Sequence, residues 1–159
     1  MSAMELDAID RQILDILLKD ANTSYVEVAK RVHVSPGTVH VRMKNLKKAG
    51  IVQGAALEVD YQQLGFNMMA FVGIYLERSS MYTEVLLKLQ RIPEIVNVHY
   101  ITGPYNIFAK VICKDSQDLH DILHNRIQEI KGVERTESFI SLSESIQRPI
   151  NLLDEEDFD

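Results

Sequence analysis

A chain of 159 residues with 46% hydrophobic content and a formal net charge of -6 has room for one domain or two small ones, and that balance fits neither disorder nor a fibre. No apolar run approaches the roughly 20 residues that cross a bilayer, and the acidic start (Glu5, Asp7, Asp10) does not suit a signal peptide, so a cytoplasmic location is expected. The single Cys113 stands in an apolar stretch, which excludes an internal disulfide and a Cys-based zinc site and reads as core packing.

Charge is distributed unevenly. Lys30, Arg31, Arg42, Lys44, Lys47 and Lys48 occur with no Asp or Glu anywhere between Glu27 and Glu58, whereas residues 61–159 hold nine basic against fifteen acidic residues. Such asymmetry points to a polyanion-binding part joined to a part with another task; the plainer alternative is a solvated helix face.

In chain order, Leu6, Ile9, Ile13 and Leu17, with Ile16 between them, repeat at three and four residues, which predicts an amphipathic helix over 7–20 started by Asp7. Ser24 followed by Glu27 has capping-box spacing and opens a second helix. Ser35 then caps a third, with Pro36 at its first position and Gly50 as a left-handed stop. The turn between the second and third helices, centred on His33 and Val34, has the length of a helix-turn-helix, or of a plain helical hairpin. At 100° per residue Val39, Met43, Leu46 and Gly50 share one stripe, while Gly37, Thr38, Val41, Lys44, Asn45 and Lys48 fall opposite.

That outer face suits a DNA major groove. Thr38 and Asn45 are fitted to base edges, and Val41 to a thymine methyl. Lys44, Lys47 and Lys48 are fitted to phosphates, which position a protein without reading sequence. Arg42, on the flank, reaches either a phosphate or an acid of the first helix, and His40 either the backbone of DNA or solvent.

After a linker or strand over 53–65, the pattern changes to strand, helix, two strands around the turn Gly103-Pro104-Tyr105-Asn106, a second helix and a last strand. The helical units match at an offset of 38 residues: Met81 with Leu119, Val85 with Leu123, Leu89 with Ile127, Ile92 with Ile130. This predicts a ferredoxin-like βαββαβ domain over 66–148 with one sheet face bare. The first strand is nevertheless apolar at both parities (Val72 and Ile74 against Phe71 and Tyr75), so a second copy is expected to cover it. Residues 149–159 form an acidic tail, expected to be disordered or to dock Leu152, Leu153 and Phe158 on a neighbour.

The order of parts, the stretch SPGTVHVR followed by AGI, and the later TGPYNIFAKV and VERTES together resemble the Lrp/AsnC family of feast/famine transcription regulators over roughly residues 5–148, the helix-turn-helix being most similar to the AsnC branch. The resemblance implies an α+β chain whose N-terminal winged helix-turn-helix domain (1–52) binds a palindromic operator with Ser35, Gly37, Thr38, His40, Val41, Arg42, Lys44, Asn45, Lys47 and Lys48. It implies homodimers that assemble further, often to octamers, and a free amino acid as effector, asparagine first. The effector would be held by Gly103, Pro104, Tyr105 and Asn106, with hydroxyls of Thr136 and Ser138 from a neighbouring subunit. No cofactor is expected. Two rival readings remain: a metal-responsive regulator using His120 and His124, one helical turn apart, or an enzyme on the same fold, for which no nucleophile and base pair, phosphate-binding glycine loop or carboxylate pair is found.

Overall fold

The computed structural model describes residues 5–153. The described residues divide into two compact units, one made of 5–58 together with 146–153, the other of Val59–Ser145.

In the first unit three helices form, α1 (Ala8–Lys19), α2 (Tyr25–Arg31) and α3 (Pro36–Lys48), and each is started by the predicted residue. Asp7 accepts from the Asp10 amide, Ser24 from that of Glu27 and Ser35 from that of Thr38. Each cap satisfies an amide that the first helical turn leaves without a partner. The capping box of α2 is half made: the Glu27 carboxylate turns instead to the Arg31 guanidinium at 3.0 Å, since a charged donor outcompetes a neutral amide. His33, between α2 and α3, takes a left-handed φ of 55°, a conformation that His adopts more readily than most residues.

Ile13, Leu14, Val28, Ala29, Val32, Val39, Met43 and Leu46 make the core of this unit. Gly50 is not part of the α3 stripe; it lies beyond the helix at φ +75° and is exposed. Residues 53–60 carry neither helix nor strand, and a turn follows at 61–65, so the linker form of this segment is the one found.

Leu152 packs against that same core. The described part of the segment read as a tail, 149–153, groups with the helix-turn-helix unit. An apolar side chain followed by a second leucine is buried wherever a core edge is in reach. Phe158 lies outside the described residues.

The second unit is a four-stranded antiparallel sheet in the order β2 (Ile95–Tyr100), β3 (Ile107–Cys113), β1 (Met68–Leu76), β4 (Val133–Ile140). Two helices cover one face: α4 (Tyr82–Leu89) and α5 (Ser116–Asp121), the latter continuing as a π-helical stretch over Ile122–Ile127. The even-numbered residues of β1 (Ala70, Val72, Ile74) pack on Val85, Leu89, Leu119, Ile122 and Ile127. The pairs from the predicted 38-residue repeat thus meet in one core, as the βαββαβ order requires.

Cys113 sits in that core without solvent exposure. Burial, aided by Asp118 and Asp115, pushes its thiol up to about 11, and a thiol held protonated is a poor nucleophile. Native protein at pH 8 is expected to leave a disulfide-exchange reagent unconsumed over minutes and to react with one equivalent once unfolded in guanidinium. A thiol raised in the folded state contributes stability below its unfolded value near 9 that fades as pH climbs toward 11.

Candidate DNA-reading helix and effector turn

The first candidate site is the outer side of α3. Packing of Val39, Met43 and Leu46 fixes the rotation of the helix, so residues 37, 38, 41, 44, 45 and 48 must point away from the core. Val41 is 56% exposed, an apolar side chain set among polar ones on this face. Gly37, Thr38, Val41 and Asn45 line a shallow depression of about 530 Å³ whose wall is completed by Asp10 and Arg42. Thr38 is half-buried, and its hydroxyl lies 2.9 Å from that of Ser35 at the helix start. Among the described residues Lys44, Lys47 and Lys48 have no carboxylate partner.

Arg42 takes the second of its two predicted roles. Its Nη1 donates to Asp7 at 2.6 Å and to Asp10 at 2.9 Å, tying α3 to the start of α1. The Asp7 carboxyl is held below its ordinary range, first by the amide of Asp10 and then by this guanidinium. His40 is exposed, its ring edge-on to Tyr25 with centroids 6.1 Å apart.

The second candidate site is the turn between β2 and β3. Gly103 has φ +119° with open space where a side chain would stand, and Pro104 is exposed beside it. The other two turn residues are engaged. The Asn106 side chain accepts from the Leu76 amide at 2.9 Å and donates to the Ser79 hydroxyl at 3.4 Å, closing the end of β1. Tyr105 turns to the opposite, helix-free face, where its ring lies so closely over Gly73 that a Cβ there would come within 2.5 Å of it. Its hydroxyl donates to Glu137 at 2.9 Å. That bond raises the phenol and lowers the Glu137 carboxyl, which also accepts from Arg135.

Thr136 pairs with Ile74 and Ser138 with Val72, so both share the helix side of the sheet. The Thr136 hydroxyl accepts from Gln128 at 2.9 Å, and Ser138 is exposed on the edge strand. Within one protomer β1 separates them from the turn by two strand spacings, roughly 10 Å. The protomer therefore does not bring the two halves of the predicted effector site together. His120 and His124 stand with ring centroids 5.6 Å apart, His124 being hydrogen-bonded to Gln128 at 3.2 Å. No group of three or more metal-ligating side chains occurs among the described residues.

Several residues around these sites were not singled out from sequence. Glu137 collects hydroxyl protons from Tyr75 and Tyr105 together with Arg135, and Arg135 lies 3.5 Å over the Tyr75 ring. The signal for this cluster is Gly73 itself, since an isolated glycine inside a strand marks a close approach.

Residues 6–53 match the winged helix-turn-helix DNA-binding family and residues 69–150 the Lrp/AsnC ligand binding domain family. The chain belongs to the Lrp/AsnC family. It is 42% identical over 145 residues to the regulatory protein AsnC of Escherichia coli K12, covering 91% of this chain and 95% of that one. It superposes on the E. coli AsnC structure with a TM-score of 0.88 at 40% identity, over 93% of this chain and 99% of the other. A feast or famine regulatory protein from M. tuberculosis, solved with L-methionine, matches with a TM-score of 0.84 at 28% identity over 90% and 96%. Membership in the Lrp/AsnC family makes the chain a transcription regulator built from a DNA-binding and a ligand-binding domain. No described helix is long and apolar enough to cross a membrane.

Proposed function

We propose that the protein is a cytoplasmic, homo-oligomeric regulator that reads a palindromic operator with α3 and changes its activity on binding a free amino acid, asparagine being the first candidate. The observation that carries the DNA half is the outer face of α3: exposed Val41 and Asn45 with half-buried Thr38, flanked by lysines that have no carboxylate partner among the described residues. Each phosphate that a lysine neutralises adds about 0.9 to the slope of log affinity against log salt. Lys44→Ala is expected to weaken every duplex similarly and to lower that slope by about one. Thr38→Ala is expected to relax preference for the operator by a factor of about ten. Fluorescence anisotropy across a salt series separates the two, and wild-type behaviour of both variants would remove α3 from the reading role.

The effector half is supported by the open, positively twisted Gly103 beside two hydrogen-bonded anchors, and by the AsnC relatives and the methionine-bound one. An exposed turn with room at Gly103 can admit a carboxylate to its backbone, and the hydroxyls of Thr136 and Ser138 would reach it from a second copy. A thermal-shift screen of the twenty amino acids is expected to show one or a few stabilising ligands. Thr136→Ala should reduce that shift while leaving the unliganded melting temperature within about 4 °C, because the hydroxyl it removes makes one solvent-exposed hydrogen bond, to Gln128. Absence of any stabilising amino acid would sink the sensor reading and leave the DNA reading standing.

A further inference from the structure

The two units are joined by more than one run of chain. The linker leaves the first unit at Ile51 and Val52, whose amides both donate to the Leu46 carbonyl near the end of α3, at 3.0 and 3.3 Å, and Val52 packs on the core of that unit. It enters the second unit at Asn67, whose amide donates to the Lys114 carbonyl at 3.3 Å, and β1 starts with the next residue. After β4 the chain departs beside that same end of β1, where the Ser141 amide donates to the Met69 carbonyl at 2.9 Å. Glu144 is still held to the second unit, 3.4 Å from the Lys110 ammonium. From Ile146 the described chain groups with the first unit, and Leu152 packs on its core. Leu153 is half-buried as well, its amide donating to the Asn151 side chain at 3.2 Å. Between these fixed points Ile146 and Ile150 are 72% and 83% exposed, which marks the run as a connector rather than part of either core. Pro149 stiffens it by fixing one φ, and from Glu144 to Leu152 it spans at most about 29 Å.

We propose that this run is a second tether between the units, parallel to the linker over 53–65, and that Leu152 is a positioning residue that limits how far the DNA-reading unit turns. A body held by one flexible chain pivots about it. A second attachment at another point removes much of that freedom, at a loop-closure cost that grows only slowly with length. The linker is grasped at the end of α3 itself, so turning about the linker swings the reading helix. Two half-buried leucines form a small apolar anchor, one that opens and re-forms in the native protein. A unit already restrained loses less freedom on meeting DNA, which raises affinity without any new DNA contact. The tether itself does not depend on α3 reading DNA; its effect on affinity rests on that reading.

The test uses the full chain. Cys113 is buried, so a dye attaches to the single exposed cysteine introduced by Asn22→Cys, between α1 and α2, and time-resolved anisotropy reads the nanosecond turning of the first unit. Leu152→Ala removes the anchor. A Gly-Ser insertion between Ser145 and Ile146 that doubles the run keeps anchor and core and slackens the tether. Leu152→Met keeps the apolar bulk. The first two are expected to add a fast component that lowers the residual anisotropy about twofold, with circular dichroism unchanged, and Leu152→Met to behave as wild type. On the tightest duplex selected from random sequence, both slackened proteins should bind about three- to tenfold more weakly with an unchanged salt slope, since the phosphate contacts persist.

A wild-type decay in both slackened proteins would overturn the tether. So would a fast component from Leu152→Ala with none from the insertion, which would leave Leu152 a core residue and nothing more. A fast component in both with wild-type DNA affinity would overturn the positioning role. A fast component in both, with DNA binding indifferent to Lys44→Ala, would instead strike α3 as the reader and leave the tether standing.

Discussion

Phe139→Asp is expected to convert the protein to a monomer and to lower its affinity for operator DNA by a factor of about 10² to 10⁴, the effective concentration lost when two reading heads are uncoupled. The helix-free face of the sheet carries Phe71, Phe108, Tyr105 and Phe139, with ring centroids 5.7 to 6.5 Å apart along the chain of contacts. Rings in such numbers are covered in a stable protein, and an isologous contact with a second copy is the arrangement that covers them symmetrically. Phe139 is the residue to change because it is 47% exposed in the protomer and stands on an edge strand. A carboxylate there costs the isolated fold little but cannot be buried against its own symmetry mate. Sedimentation at micromolar concentration with unchanged circular dichroism is the expected result; a persistent dimer would place the interface elsewhere.

Arg42→Ala is expected to destabilise the helix-turn-helix unit by about 2–3 kcal/mol, less than the 3–5 kcal/mol of a fully buried pair because water reaches part of the guanidinium. Its partner Asp10 retains only 7% side-chain exposure and would lose its cation, while Asp7 at 54% would be rehydrated. For a unit of this size the melting temperature should fall by on the order of 10 °C. Asp7 is held below its ordinary value in the folded state, so its contribution is present above about pH 4 and lost as pH falls through the lowered value. The gap between variant and wild type should therefore narrow in acid. DNA binding measured well below the melting temperature should stay close to wild type, opposite to Lys44→Ala. A stable variant with severely weakened DNA binding would return Arg42 to the phosphate contacts.

The helices were legible because their information is local. Asp7, Ser24 and Ser35 each act on an amide three residues away, and the Val39, Met43, Leu46 stripe needs only the helical period. The doubled βαβ unit was legible through its repeat. What sequence left open depends on partners far along the chain: Arg42 with acids 32 and 35 residues earlier, and Leu152 with a core more than a hundred residues before it. At the turn, the resemblance placed Tyr105 and Asn106 in one site, yet their side chains leave it for different partners. Tyr105 went to the aromatic face and Asn106 to the end of β1. Gln128, eight residues before the hydroxyl it meets, carried no sequence signal.

The placement of Tyr105 over Gly73 turns this neighbour relation into a linkage. Gly103 is two residues from a ring wedged against the sheet, hydrogen-bonded to Glu137 and stacked on Phe108 with centroids 6.0 Å apart. A molecule that shifts the turn drags the ring with it, and whatever rests on the ring resists. By reciprocity, the factor by which an effector changes self-association is the factor by which self-association changes effector affinity. Removing the wedge with Tyr105→Ala should therefore weaken the coupling between the two equilibria, a change that titrating effector at two protein concentrations would reveal.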